Sequence, residues 1–376
     1  MSLKLINRIF SAGALALAAL AAPTAHAIQI VVGEVCPLSG LEANQGRAYG
    51  AGMQLYFDTV NKAGGANGHT FSLVRKDDRG LPEETVAATK KMLEEEKPMV
   101  LAGYFGNSNI EDLVASGLLE KAQIPLIGYR VTQIRAETPY LYTVRAGLQD
   151  ELDKFTEHIS TVGIKRIGLF YEDGPGAPAL IAAAEAAAKK ANLTIVAKAS
   201  YPARTVQVAK AVAAMTTAAP QAIFMVATGA AAAGFIENYG RGGAQLFAHS
   251  GVDIEQLTKR LAEEQMQGVS IAQVTPNPYK ISSRLSKEFQ DAVTAKKDLE
   301  VPVSYAMMEG FITAKVIVEA VRRQGSRPSR EGMVTALGAM DRFDMGGYSV
   351  GYKPNSRMGS KFVELSIISG TGKIRQ

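Results

Sequence analysis

The chain has 376 residues, 47% of them hydrophobic, and a formal net charge of +5. Its lysines and arginines are spread along the whole length without a basic block, so the composition does not indicate a nucleic-acid-binding protein. A chain of this length is too long for one small core and suits two lobes of about 150 residues each.

The first 27 residues have the pattern of a secretory signal peptide. Lys4 and Arg8 give a positive start, residues 9–22 form an uncharged apolar run, and Pro23 ends this run before Ala25-His26-Ala27. The apolar run is shorter than the ~20 residues that a membrane span requires. We therefore expect cleavage after this segment and export to the periplasm, with a membrane anchor or an ordinary helix as the alternative.

Strand and helix patterns alternate along the rest of the chain. Apolar helical positions such as Tyr49, Met53, Phe57 and Val60 recur every three or four residues. The runs typical of buried parallel strands are 28–35, 70–76, 99–103, 124–127, 140–144, 166–171, 193–198, 222–226, 245–248 and 269–273. This alternation predicts βαβ units and parallel sheets.

The pattern changes after residue 278. Long amphipathic helices are predicted at 282–297, 304–324 and 329–339, and short strands at 348–352 and 362–368. Two βα series indicate two lobes. The helical segment that follows them is most easily placed as the cover of the first lobe, so the chain passes between the lobes more than once.

The motifs that carry catalysis or phosphate binding are missing from the chain. It has no G-x-x-x-x-G-K-[ST] and no G-x-G-x-x-G segment. The letters G-x-S-x-G occur at 347–351, but they fall in the predicted short strand 348–352 and not at the strand-to-helix turn of a nucleophile elbow. His69, His158 and His249 are widely spaced, and Glu172-Asp173, the best carboxylate pair, has no accompanying base or metal ligand. We therefore expect no enzymatic activity, no metal and no cofactor. Cys36 is the only cysteine, and we expect a buried thiol that packs as a small apolar group rather than a reactive one.

A series of short motifs carries a family resemblance. In chain order they are PLSG at 37–40, VNKAGG at 60–65, NG at 67–68, KDD at 76–78, IPLI at 124–127, PYL at 139–141, RIGLFYED at 166–173, MEGF at 308–311 and SKFVEL at 360–365. Together they resemble the type I periplasmic solute-binding proteins of ABC importers, in the leucine/isoleucine/valine-binding branch.

The resemblance implies an α/β fold of two Rossmann-like lobes with parallel sheets, joined by a hinge of three crossovers. Lobe 1 would comprise residues 28–147 and 278–343, and lobe 2 residues 148–277 and 344–376. A small-molecule ligand would bind between the lobes, which close around it, and a permease in the inner membrane would receive it. We expect a monomer.

The candidate ligand-binding residues follow from the same resemblance, since ligands bind beyond the carboxyl ends of parallel strands and in clefts between domains. They are Gln45, Asn107, Ser108, Arg130, Thr132, Asp150, Thr228 and Ser250. In amino-acid-binding members hydroxyls and N–H groups hold the ligand carboxylate, and Asn107-Ser108 and Thr132 match their positions.

The second lobe departs from the amino-acid pattern. Ser250 stands where the family usually has a carboxylate for the ligand ammonium, and Ala230-Ala231 where an aromatic residue is common. A buried ammonium without an anion costs several kcal/mol, although Asp150 remains a candidate partner. Arg130 adds a cation that suits a carboxylate. The alternative for Arg130 is a solvent-facing side chain or a pair with an acid such as Glu137.

These residues favour a small carboxylate-bearing ligand, either like a branched-chain amino acid or an organic acid. Two other classes of function remain open. One is a module that presents its ligand to a membrane sensor. The other is a secreted hydrolase, which would require His249 within hydrogen-bond reach of a serine.

Overall fold

The computed structural model describes residues 27–135, 137–240, 242–368 and 374–375, so that residues 1–26 of the predicted signal peptide lie outside the described residues. The first large sheet has five strands in the order β2-β1-β3-β4-β5, and all its pairs are parallel. These strands are β1 (Gln29–Cys36), β2 (Thr70–Asp77), β3 (Val100–Ala102), β4 (Leu126–Ile127) and β5 (Leu141–Tyr142).

The second large sheet has seven strands, of which the first five along the chain are parallel to one another. The strands that follow the first sheet are β6 (Arg166–Glu172), β7 (Thr194–Tyr201), β8 (Ala222–Val226), β9 (Gln245–Ala248), β10 (Ser270–Gln273), β11 (Phe343–Asp344), β12 (Ser349–Val350), β13 (Glu364–Ile368) and β14 (Ile374–Arg375). The sheet order is β14-β13-β10-β9-β8-β6-β7. Strand β13 is antiparallel to β10, and β14 is antiparallel to β13. Strands β11 and β12 form a separate two-stranded sheet. The predicted α/β architecture with parallel-dominated sheets is confirmed.

Helices connect these strands. They are α1 (Ala43–Lys62), α2 (Pro82–Glu95), α3 (Asn107–Ala115), α4 (Leu118–Ala122), α5 (Leu148–Thr161), α6 (Ala177–Lys190), α7 (Ala209–Ala218), α8 (Gly229–Tyr239), α9 (Ile254–Arg260), α10 (Glu263–Met266), α11 (Arg284–Ala295), α12 (Tyr305–Gln324) and α13 (Arg330–Gly338). Among the described residues, none of the helices combines the length and the apolar character that a bilayer span requires.

One predicted helix is divided in two. The sequence pattern predicts a single helix at 110–121, whereas the structure has α3 and α4 separated by Gly117 at φ 65°. A left-handed residue interrupts the helical hydrogen-bond ladder, and glycine adopts it at low cost.

The chain passes between the sheets three times, after β5, after β10 and between β12 and β13. The hydroxyl of Tyr348 lies 2.6 Å from the carbonyl oxygen of Val144 and 3.0 Å from that of Val274, so one side chain contacts the first two crossovers. Tyr348 and Tyr352 pack in the first core. We propose the lobes expected from the resemblance, 28–147 with 278–343 and 148–277 with 344–376, except that the packing of Tyr348 and Tyr352 moves the third crossover from 343/344 to after Tyr352 and adds residues 344–352 to the first lobe.

Helix α12 belongs to the first core although it follows the second βα series in the chain. Its apolar side chains pack with those of β1 and α1, including the predicted face of Tyr49, Met53, Phe57 and Val60. A Cβ atom on Gly310 would lie 2.0 Å from the Tyr49 carbonyl oxygen. The two helices therefore approach each other so closely that only glycine fits. The thiol of Cys36 is buried in the same core, as predicted.

Replacing Gly310 with alanine tests this close packing. We expect Gly310→Ala to lower the free energy of unfolding by about 3 kcal/mol, because the added methyl group overpacks a backbone contact. A Cβ atom on Gly338, in α13, would meet open space to 4 Å among the described residues, and Gly338→Ala should stay within about 0.5 kcal/mol of wild type. Urea denaturation measures both, and equal effects would contradict the packing argument.

Candidate functional site

The loops that follow β4 and β9 meet in the cleft between the two sheets. Arg130 Nη2 donates to the Ser250 carbonyl oxygen at 3.3 Å, and Gln45 Nε2 donates to the Gly251 carbonyl oxygen at 3.3 Å. At the rim, Gln256 Nε2 donates to the Leu41 carbonyl oxygen at 2.9 Å. In each of these bonds one residue lies in a segment that connects strands of the first sheet, and the other lies in the segment that follows β9 of the second sheet. The structure is therefore a closed form in which the lobes touch.

Arg130 has a partner on every edge of its guanidinium group. Its Nε lies 3.2 Å from Glu309 Oε2, an ion pair without a hydrogen bond, its Nη1 donates to Gln45 Oε1, and its Nη2 donates to the Ser250 carbonyl oxygen. The Phe105 ring supports one face, with 5.5 Å between Cζ and the ring centroid. The side chain is only 8% exposed. Arg130 thus faces the cleft and is also paired with an acid, which is Glu309 and not the Glu137 named in the alternative interpretation.

Arg145 links the first crossover to the second lobe. Its Nη2 donates to Ser250 Oγ and lies 3.6 Å from Glu151 Oε1, and its Nη1 lies 3.8 Å from Glu309 Oε2. Glu151 in turn accepts hydrogen bonds from Ser250 N at 2.6 Å and from Ser250 Oγ at 2.8 Å. Arg130, Arg145, Glu151 and Glu309 are all buried. We call these four residues the charge network; its formal charge is zero.

The two acids that follow the first crossover, the predicted Asp150 and its neighbour Glu151, have different partners. Asp150 accepts a hydrogen bond from the Gly147 N–H at 3.2 Å and so caps its own helix α5. It also lines an open surface groove of about 600 Å³ with Lys154 and Lys190. The neighbouring Glu151 points to Ser250 instead. In this closed form Asp150 is therefore a helix cap, and Glu151 occupies the cleft.

The remaining candidates of the first lobe lie at the rim. Asn107 Nδ2 donates to Thr132 Oγ1 at 2.6 Å, and the Thr132 N–H donates to Asn107 Oδ1 at 2.9 Å. Asn107 and Ser108 are exposed at the beginning of α3. In the second lobe, Thr228 caps α8 by accepting from Ala231 N. Contact of these four candidates with a ligand stays a prediction.

Glu42 is a cleft residue that the sequence analysis missed. Its Oε2 accepts from Gln45 Nε2 at 2.8 Å, and its Oε1 is buried with no hydrogen-bond partner among the described residues. Burial raises the pKa of Glu42 to about 7; Asp253 and Glu172 of the second lobe also raise it, and Arg130 lowers it. A buried acid with a like-charged neighbour favours its neutral form. Closure therefore favours the protonated form of Glu42.

His249 has backbone partners for both ring nitrogens. Nε2 lies 2.8 Å from the Ala227 carbonyl oxygen, and Nδ1 accepts from the Gly251 N–H at 3.2 Å. Burial lowers the pKa of His249 to about 4. The neutral ring stabilises the Ser250 loop through these two hydrogen bonds, and its nitrogens contact backbone atoms and not a serine hydroxyl. In the part of the chain that the structure describes, no group of three or more His, Cys, Asp or Glu side chains has the arrangement of a metal site.

The raised pKa of Glu42 predicts that closure depends on pH. Opening exposes this carboxyl and returns its pKa towards about 4.3, so the closed form binds more protons between this value and about 7. Closure should therefore strengthen as pH falls from 8 to 6. Small-angle scattering of the ligand-free protein should show a radius of gyration that decreases over this interval.

Two variants isolate the carboxyl that titrates. Glu42→Gln should abolish the pH response of the radius of gyration. Glu263→Gln, which removes an exposed carboxylate, should keep it. A wild-type response in Glu42→Gln would show that another group controls closure.

Comparisons with known proteins show which family and which solved structures the chain is similar to. A family model described as "Periplasmic binding protein" matches residues 29–361. The crystal structure of a substrate-binding periplasmic protein from Ralstonia solanacearum is 38% identical, with a TM-score of 0.87 over 92% of this chain and 99% of that chain. The Leu/Ile/Val-binding protein homolog 8 of Brucella abortus is 24% identical over 89% of this chain and 87% of its own length. A branched-chain amino acid ABC transporter protein from Thermus thermophilus, with bound valine, has a similar fold: 16% identity, a TM-score of 0.79, and coverage of 92% and 94%.

Proposed function

The chain belongs to the periplasmic binding protein family, and on this basis we propose that it captures a small carboxylate-bearing ligand between its lobes and delivers it to an ABC permease. Membership of the family implies an extracytoplasmic location. The proposed ligand is an organic acid, with a branched-chain amino acid as the second candidate.

The observation that carries the proposal is the orientation of the Arg130 guanidinium. Glu309 occupies its Nε edge from within the first core, whereas its two Nη atoms contact Gln45 and Ser250 at the boundary between the lobes. Opening the cleft removes Ser250 from Nη2, because Ser250 belongs to the second lobe. Rotation of the Gln45 amide then leaves a fork of two N–H donors. A carboxylate accepts such a fork in a bidentate manner.

The second lobe supports an organic acid rather than a zwitterion. Ser250 stands at the position of the family acid, the nearby Asp253 accepts from Glu255 N and Gln256 N as the cap of α9, and Glu151 is already engaged by Ser250 and Arg145. A ligand ammonium placed there would compete with a guanidinium for the same carboxylate. Glu42 is the acid that favours the second candidate, because it lies beside Gln45 at the carboxylate fork.

A thermal-shift screen of amino acids against organic acids tests the ligand class. A ligand present at 100 times its Kd stabilises the folded protein by ~2.7 kcal/mol, which is visible as a rise in melting temperature. We expect an organic acid to give the largest shift. Stabilisation by leucine or valine, and by no organic acid, would contradict our interpretation of Ser250 and Arg130.

The role of Arg130 is tested with the compound that the screen identifies. Arg130→Ala should weaken its binding by ~2 kcal/mol or more, because a charge-assisted pair is lost. The control Arg323→Ala removes an arginine from the exposed side of α12, where it pairs with Glu319, and should leave the affinity unchanged. Calorimetric titration measures both. Equal affinities for the two variants would exclude Arg130 from the ligand site.

A further inference from the structure

Glu309 is the acid on which both buried arginines depend within the first lobe. Its Oε2 lies 3.2 Å from Arg130 Nε and 3.8 Å from Arg145 Nη1. Its Oε1 is buried and has no hydrogen-bond partner among the described residues. Glu309 is 1% exposed, so water screens its charge weakly.

The network that contains Glu309 is balanced before any ligand binds. Arg130 and Arg145 contribute two positive charges, and Glu151 and Glu309 contribute two negative charges. With Glu42 in the protonated form that closure favours, a ligand carboxylate at the Arg130 fork brings the buried sum to one negative charge, and a second ligand carboxylate in the cleft would bring it to two. An uncompensated buried charge is poorly solvated in the protein interior, so the unfavourable free energy of binding increases steeply with the charge of the ligand.

We propose that Glu309 is a specificity-determining residue, which restricts the cleft to ligands that carry no more than one negative charge. The inference rests on the proposed function, because it concerns the charge of the ligand that Arg130 binds. Without the Glu309 carboxylate the network carries one positive charge. Binding of a monocarboxylate then makes the network neutral. Binding of a dicarboxylate gives it one negative charge, which is the charge of the wild-type network with a monocarboxylate bound.

Glutamine is the appropriate substitution, because it separates charge from shape. It keeps the length of the side chain and an oxygen that faces Arg130 Nε, so the guanidinium keeps a neighbour on that edge. Only the negative charge is removed. Glu300→Gln is the matched control: Glu300 pairs with Arg75, is about half exposed, and is not a member of the charge network.

The experiment compares two pairs of probes that differ by one carboxylate, butyrate with succinate and benzoate with terephthalate, by calorimetric titration at constant pH. The readout is the ratio of the Kd of the dicarboxylate to that of the monocarboxylate. We expect this ratio to fall at least tenfold in Glu309→Gln and to stay at the wild-type value in Glu300→Gln. A purely structural role of Glu309 would weaken both members of a pair alike.

The outcomes separate this inference from the proposed function. If a monocarboxylate binds the wild type and the ratio is unchanged in Glu309→Gln, the inference is wrong and the proposed function stands. If none of the four probes binds the wild type, the proposed ligand class fails and the inference fails with it. Should Glu309→Gln not fold by circular dichroism, Glu151→Gln removes the same charge from the second lobe, and an unchanged ratio there overturns the inference.

Discussion

The ion pair between Arg130 and Glu309 is the contact on which the geometry of the cleft depends. A guanidinium buried to this extent requires an anion nearby, and Glu309 supplies it from α12 at 3.2 Å. Because α12 is fixed against α1 through Gly310, the position of the guanidinium follows from the packing of the first core. The Nη edge of Arg130, which we propose faces the ligand, is thus preorganised by a rigid helix pair.

The same charges extend to the hinge. Arg145 stands on the first crossover, between Glu309 of the first lobe and Glu151 of the second, and Tyr348 contacts both the first and the second crossover. A rotation of the lobes therefore changes contacts of the charge network directly. Since a ligand shifts a conformational equilibrium only through its differential affinity for the two forms, a ligand that replaces Ser250 on Arg130 is well placed to influence closure.

The fold was largely predictable from the sequence, whereas the site was predictable only in part. Runs such as β1 and β6 are local patterns, and they predict parallel strands without knowledge of their neighbours. Arg130 and Ser250 follow strands directly, so their meeting in the cleft could be anticipated from strand ends. Glu151 and Glu309 lie inside helices, where most acids are solvated, and their partners are distant in sequence. A signal was present for Glu309, because it is the only charged residue between 301 and 314.

The central claim is that the Nη edge of Arg130 receives the carboxylate of the ligand while Glu309 keeps the Nε edge. A crystal structure of the complex with the organic acid selected by thermal shift tests it most directly. We expect two carboxylate oxygens at about 2.7–2.9 Å from the Nη atoms, with the Gln45 amide displaced and the Arg130–Glu309 pair intact. A ligand bound in the cleft with its carboxylate away from Arg130, or a carboxylate that displaces Glu309, would contradict the account.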